Sequence, residues 1–248
     1  MRIKTVIFDY GNTLVSTQLD WPSIVPQSLV DLRAALEAEL PSLDYPRLGR
    51  DFLFFRAEGK ERARRDWLET RATESLKKAL ALQGKNRPSE ELLQQGVDGF
   101  FSAEERCYLI IQGMPALLAK LKNMGLKLGL LSNATSASLV RRALENRQML
   151  NFFDDVVISA EEGICKPEPE LFRTSLHRLD SHAEQCAMVG DLVETDIAGA
   201  RRAGMRAILV DLLGLGTHIK KDDPKPDAVA QSPQQLLALL EAWSMDLL

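Results

Sequence analysis

No run in this chain approaches the ~20 consecutive apolar residues of a membrane-spanning helix. The apolar stretch near the N-terminus, Val6-Ile7-Phe8, is too short for the hydrophobic segment of a secretory signal. A cytoplasmic protein with no membrane partner is therefore expected. Cysteine is scarce: Cys107, Cys165 and Cys186 are the three in 248 residues, and no two stand in a Cys-x-x-Cys pair. That number and spacing argue against both a disulfide framework and a zinc site, so the three are expected to be reduced and structural. An excess of positive charge is missing too. With 31 Lys and Arg against 35 Asp and Glu, the net charge of −4 gives no global field to hold nucleic acid. Repeats and low-complexity tracts are absent, and 45% hydrophobic with 27% charged residues is the balance of an ordinary globular protein. A small molecule is the expected partner, and the chain is expected to be a monomer or homodimer.

What the chain does contain is a change of pattern along its length. The first run, residues 4–8, is β-branched and aromatic and stops at Asp9 before the turn-forming Gly11-Asn12, which predicts a buried strand feeding a loop. From about Trp21 to Tyr108 the spacing is helical and no strand is expected. Leu29, Leu32, Leu36 and Leu40 share one face until Pro41; a long charged helix is predicted over residues 62–82 before Gly84, and another starting at Ser89. After Gly113 the chain alternates. Helices are predicted over residues 116–124, 137–145, 169–179, 196–203 and 233–243, with strands over 127–131, 156–159, 186–189, 206–210 and 227–230. Alternation of this kind builds a parallel sheet covered on both faces. The reading is an α/β, Rossmann-like three-layer core of residues 1–15 and 112–248. An all-α cap, residues 16–111 and roughly ninety residues long, is inserted after the first strand, too large for a loop and large enough for a small domain.

Four segments stand at or just after strand ends: Asp9-Tyr10-Gly11-Asn12-Thr13-Leu14, Leu130-Leu131-Ser132-Asn133, Lys166-Pro167-Glu168-Pro169 and Gly190-Asp191-Leu192-Val193-Glu194-Thr195-Asp196. Singly each has a plain structural reading, because a strand-end Asp, a Ser-Asn turn and a Lys-Pro pair are all common. Together they suit phosphate ester hydrolysis. A carboxylate nucleophile is repelled by a phosphate unless cations bridge the two, and Mg²⁺ needs hard carboxylate oxygens. Asp9 and Asp191 supply such oxygens, Lys166 a compensating ammonium, and Ser132 a hydroxyl to orient the phosphoryl group. In-line attack by Asp9 then gives an aspartyl-phosphate that water hydrolyses.

These segments, in this order on an alternating scaffold, resemble the haloacid dehalogenase-like (HAD) hydrolase superfamily, and the helical insert resembles its small C1 cap in position and helicity. The resemblance implies Asp9 as nucleophile and metal ligand, Ser132 and Asn133 at the phosphate, and Lys166 as charge stabiliser. It also implies Asp191 as a direct Mg²⁺ ligand, and Asp196 as either a ligand or an acid just behind the ligands. It implies further a sheet with the first strand central and the second and fourth strands beside it.

One position departs from the pattern. Phosphatases of the family usually read Asp-x-Asp in the first motif, the second Asp serving as general acid and base; here that residue is Gly11. In the family this position gives Mg²⁺ a backbone carbonyl, which glycine retains, so the function at stake is proton transfer, worth ~10²–10⁴ in rate. Two alternatives follow: a dehalogenase-type, carbon-centred hydrolase, since those enzymes also lack the second Asp, or a catalytically weak binding module. The acidic Gly190-Asp191 to Asp196 motif favours phosphoryl transfer over the first. The basic residues of the insert, among them Arg56, Arg62, Arg64, Arg65 and Arg71, are expected to be solvated, and His177, His182 and His218 fall outside every motif and receive no catalytic role.

Overall fold

The computed structural model describes residues 2–216 and 219–245, so His218 and the extreme ends of the chain lie outside the described residues. The first strand, β1 (Thr5–Phe8), is buried along its whole length. After it come a two-residue strand β2 (Val15–Ser16) and four helices, α1 (Trp21–Leu36), α2 (Tyr45–Asp66), α3 (Ala72–Ala81) and α4 (Glu90–Cys107). A short β3 (Leu109–Ile110) pairs antiparallel with β2 and closes the neck of this insert. The remainder alternates: α5 (Met114–Asn123), β4 (Lys127–Ser132), α6 (Ala137–Asn146), β5 (Asp155–Ile158), α7 (Ser159–Glu162), α8 (Pro169–Arg178) and β6 (Cys186–Gly190). It finishes with α9 (Ala198–Arg202), β7 (Arg206–Val210), β8 (Ala228–Ala230) and α10 (Pro233–Ser244).

Six strands form one parallel sheet in the order β5-β4-β1-β6-β7-β8. The Rossmann-like α/β class is thus as expected, with β1 central between β4 and β6, the second and fourth strands of the sheet in chain order. The period of two along each strand sorts its side chains between the two faces. Val6 and Phe8 of β1, with Leu128 and Leu130 of β4, join the core that continues into the helical insert. Ile7, Leu131 and Met188 face the other way, against Leu171, Phe172 and Ile197. Among the described residues no helix is long and apolar enough to cross a membrane.

The insert is helical as predicted, but its helices are drawn differently. The expected single helix over residues 62–82 is two helices, because Trp67 takes a left-handed conformation at φ 56° and ends α2. Residues beyond it run extended against the core: Leu68 bridges Ile164, Cys165 N–H donates to the Trp67 carbonyl at 2.9 Å, and Glu69 N–H donates to Gly163 at 3.0 Å. Tertiary pairing here overrides a helix-forming composition. The Ser89 start holds, its hydroxyl accepting from Leu92 N–H at 3.1 Å. α2 starts where the sequence reading places no helix, with Asp44 accepting from Arg47 N–H at 3.0 Å and Pro46 in its first turn. The expected helix over 196–203 begins instead as a π-turn, Val193–Ile197, before α9. The β2–β3 pair, too short to leave a periodic signal, also went unread.

Candidate active site

The carboxyl edge of the sheet gathers the four segments because three of them leave adjacent strands. Asp9 prolongs β1, its N–H donating to the Val189 carbonyl at 2.8 Å. Ser132 ends β4, and Asp191 follows the last residue of β6. Lys166 arrives from the loop after α7 and is 3% exposed, with its ammonium 2.5 Å from Asp9 Oδ1 and 2.6 Å from Asp196 Oδ1. Oxygens of Asp9, Asp191 and Asp196 can all lie within 4.8 Å of one another. Gly190 makes this possible: a Cβ there would sit 2.4 Å from Asp196 Cγ, so any other residue would push the carboxylate away.

Asp196 has both oxygens engaged, since Oδ2 also accepts from Leu192 N–H at 3.0 Å. Asn133 is likewise occupied: its side chain donates to the Lys166 carbonyl at 3.0 Å and accepts from Lys166 N–H at 2.8 Å. It therefore braces the loop that carries Lys166. Ser132 is buried and lines the cavity above the carboxylates. Asn12, read from the sequence only as a turn residue, proves to matter. Held at φ 51°, which asparagine tolerates better than most residues, it donates to Asp191 Oδ2 at 3.3 Å and accepts from both the backbone and hydroxyl of Thr17 at 3.0 Å. The signal that could have found it is the Gly11-Asn12 pair directly after a strand-end acid.

The charges do not cancel. Three carboxylates face one ammonium, and burial raises the Asp9 pKa to about 6 even though Lys166 opposes the shift. Asp191 is raised to about 7, by burial first and then by Asp9 and Asp196. Burial alone would lower the Lys166 pKa, but Asp196 and Asp9 together outweigh it and hold the ammonium charged. A surplus of buried negative charge on hard oxygen donors is the chemistry that suits a divalent cation such as Mg²⁺.

Above these residues opens a cavity of about 580 Å³ whose far wall is made by α2 and α4. Arg56, expected to be solvated, is instead 9% exposed in this wall, because Phe52, Phe100 and Phe101 pack around it. Arg71, on the surface, donates through Nε to the Ala160 carbonyl at 2.7 Å and so ties the insert to the core. Arg64 and Arg65 are exposed, each paired with an acidic neighbour on its own helix, and Arg64 also lines the mouth of the cavity.

Comparison with known proteins adds a second line. The chain is 41% identical over 125 residues to a phosphoserine phosphatase of Thermus thermophilus, a match spanning 50% of this chain and 48% of that protein. It is 31% identical over 211 residues to a ribulose-1,5-bisphosphate 5-phosphatase of Halopiger xanaduensis, covering 83% and 84% of the two chains. Among solved structures, a 2-haloacid dehalogenase from Pseudomonas syringae pv. Tomato superimposes with a TM-score of 0.66 at 26% identity, covering 97% of this chain and 99% of the other. The family profile of haloacid dehalogenase-like hydrolases matches residues 3–204. By that match, and by a relative alignable over most of both lengths, the chain belongs to the haloacid dehalogenase-like hydrolases.

Proposed function

We propose that this hydrolase is a Mg²⁺-dependent phosphatase of a small phosphorylated metabolite, working through an aspartyl-phosphate on Asp9. The observation that carries this reading is the convergence of Asp9, Asp191, Asp196 and Lys166 on the floor of one cavity. Phosphatase relatives support it. Asp9, Asp191 and the backbone carbonyl of Gly11 would hold Mg²⁺, which when bound neutralises the phosphoryl oxygens and orients them for in-line attack. Asp196, with both oxygens engaged, serves best from behind, fixing Lys166. Asp9 attacks phosphorus as the ester oxygen departs; the Lys166 ammonium and the Ser132 hydroxyl stabilise the charge that develops, and a backbone N–H after β4 can assist. Water then attacks the phosphoryl group and frees Asp9. The helical insert, residues 16–111, acts as a cap that shuts water out of the cavity during turnover.

A second reading, carbon–halogen hydrolysis, draws on the dehalogenase likeness and on Gly11. It leaves the surplus negative charge at Asp191 without a purpose. The two separate cleanly with p-nitrophenyl phosphate and 2-chloropropionate as substrates. Phosphate release that needs Mg²⁺, stops with EDTA and falls about 10⁴-fold or more in Asp9→Asn is expected; halide release that persists in EDTA would overturn the proposal.

A further inference from the structure

The far wall of the cavity buries a charged side chain that has no hydrogen-bond or ion-pair partner among the described residues. The Arg56 guanidinium lies 4.8 Å from the ring centroids of Phe100 and Phe101 and 5.8 Å from that of Phe52. Rings satisfy the face of the cation but not its N–H edge. Among the described residues Arg56 Nε has no acceptor. Glu104, whose charge is felt at Arg56, spends one oxygen on the Tyr108 hydroxyl and keeps the other unpartnered as well, so it does not satisfy the guanidinium. Burial raises the Glu104 pKa, against the opposing pull of Tyr108, Arg56 and Lys60. Lys60, one turn further along α2, lines the same cavity with its ammonium 5.8 Å from the Trp21 ring centroid. On the side of the insert the cavity lining thus carries three cations, Arg56, Lys60 and Arg64, against two acids, Glu69 and Glu104.

Native folds rarely leave a buried charged donor unsatisfied, so the open edge of Arg56, facing a cavity, is a place where an acceptor on a ligand would fit. Lys166, paired with Asp9 and Asp196 on the floor, and Arg56 in the far wall line the same cavity. At about 580 Å³ that cavity falls in the range of roughly 300–1,000 Å³ typical of small-ligand pockets. We propose that Arg56 determines specificity by receiving a second anionic group of the substrate, a carboxylate or a second phosphate, at the end remote from the phosphoryl group under attack. The planar guanidinium fork matches either group with two parallel hydrogen bonds, and the three rings fix its orientation in advance. The inference rests on the phosphatase reading and narrows it from any phosphate ester to doubly anionic ones.

The test compares 3-phosphoglycerate, with a carboxylate, and ribulose 1,5-bisphosphate, with a second phosphate, against glycerol 3-phosphate, which has a neutral far end. Wild-type protein should favour one of the two doubly anionic esters in kcat/KM, and the one favoured identifies the group received. Arg56→Met should cut that value about 10–100-fold while changing glycerol 3-phosphate less than about threefold, with Arg56→Lys in between. Equal losses on all esters, or no loss, would overturn the proposal. Binding of the same esters to Asp9→Asn protein, followed by calorimetry with and without Arg56→Met, gives a readout free of turnover. Arg56-dependent binding of an anion-ended ester to a protein that releases no phosphate would sink the phosphatase reading and keep the subsite. Phosphate release with no preference for a second anion would do the reverse. A melting curve for each Arg56 variant shows that it is folded.

Discussion

On the floor of the cavity Lys166 meets Asp9 at 2.5 Å and Asp196 at 2.6 Å, whereas on the wall opposite Arg56 meets three phenylalanine rings and no acceptor at Nε. Both cations are buried, yet one is fixed by counter-charges and the other by packing. Strand ends bring Asp9 and Asp191 together with Asp196 of the following turn, and the Lys166 ammonium, paired with Asp9 and Asp196, partly offsets their mutual repulsion. The wall cation is held by helices α2 and α4, and its Nε has no acceptor among the described residues. The contrast separates a part built for chemistry from a part built for recognition, and it is open to direct test.

The largest effect should come from Lys166→Met. Removing one partner of a buried pair leaves the other charges uncompensated, at a cost of about 3–5 kcal/mol, so a sharp drop in the denaturant midpoint is expected. Turnover of p-nitrophenyl phosphate should fall about 10²–10³-fold besides. Arg56→Met should behave otherwise: it loses cation–π contact but also removes a buried charge with unsatisfied donors, and the net change in stability should stay within about 1 kcal/mol. If the two variants lost stability equally, floor and wall would not differ in the way described.

How legible each region was in the sequence follows from the same difference. Asp9 and Asp191 each stand directly after a short apolar strand run, so the chain itself announces that they sit at one edge of a sheet. Strand order then had only to place β4 and β6 beside β1 to assemble the floor. Arg56 had no such marker. Its burial depends on how α2 and α4 pack, since Phe52 on α2 and Phe100 and Phe101 on α4 enclose it, and no local sequence signal reports that packing. The break at Trp67 is dictated by hydrogen bonds to Gly163 and Cys165, nearly a hundred positions away in the chain. Asn12 lies between these extremes: local in sequence, but its bond to Asp191 spans the sheet edge.

A smaller effect bears on the step that the floor lacks. A Cβ at Gly11 would lie 3.3 Å from both the methyl and the hydroxyl of Thr17, so Gly11→Asp requires Thr17 to give way slightly. If proton donation limits turnover, Gly11→Asp should raise kcat/KM for a simple alkyl phosphate about tenfold relative to p-nitrophenyl phosphate, whose leaving group needs little protonation. Thr17→Ser, by removing the crowding methyl, should enlarge that gain. Equal changes on both esters would show that Gly11 costs the enzyme something other than an acid.

The finest test asks whether surplus charge on the floor is stored for a cation. In metal-free protein the Asp191 pKa is about 7 against an ordinary value of 3.8, so between those values the folded state holds a proton that the unfolded state has lost. Stability from this group is therefore full below about pH 4 and lost as pH rises through about 7. Asp191→Asn cannot ionise and should escape the loss. In EDTA the variant should match wild type near pH 4 and exceed it by about 1–2 kcal/mol at pH 8, less than the ~4 kcal/mol of the full shift because Asp191 is partly open to solvent, read from urea midpoints. Adding Mg²⁺ at pH 8 should invert the order, because binding to the native state stabilises it and the variant has given up a ligand. An Asp191→Asn protein that is less stable than wild type at pH 8 in EDTA would mean that the acid is held by partners within the fold, and the floor would then resemble an internal ion network more than a cation site.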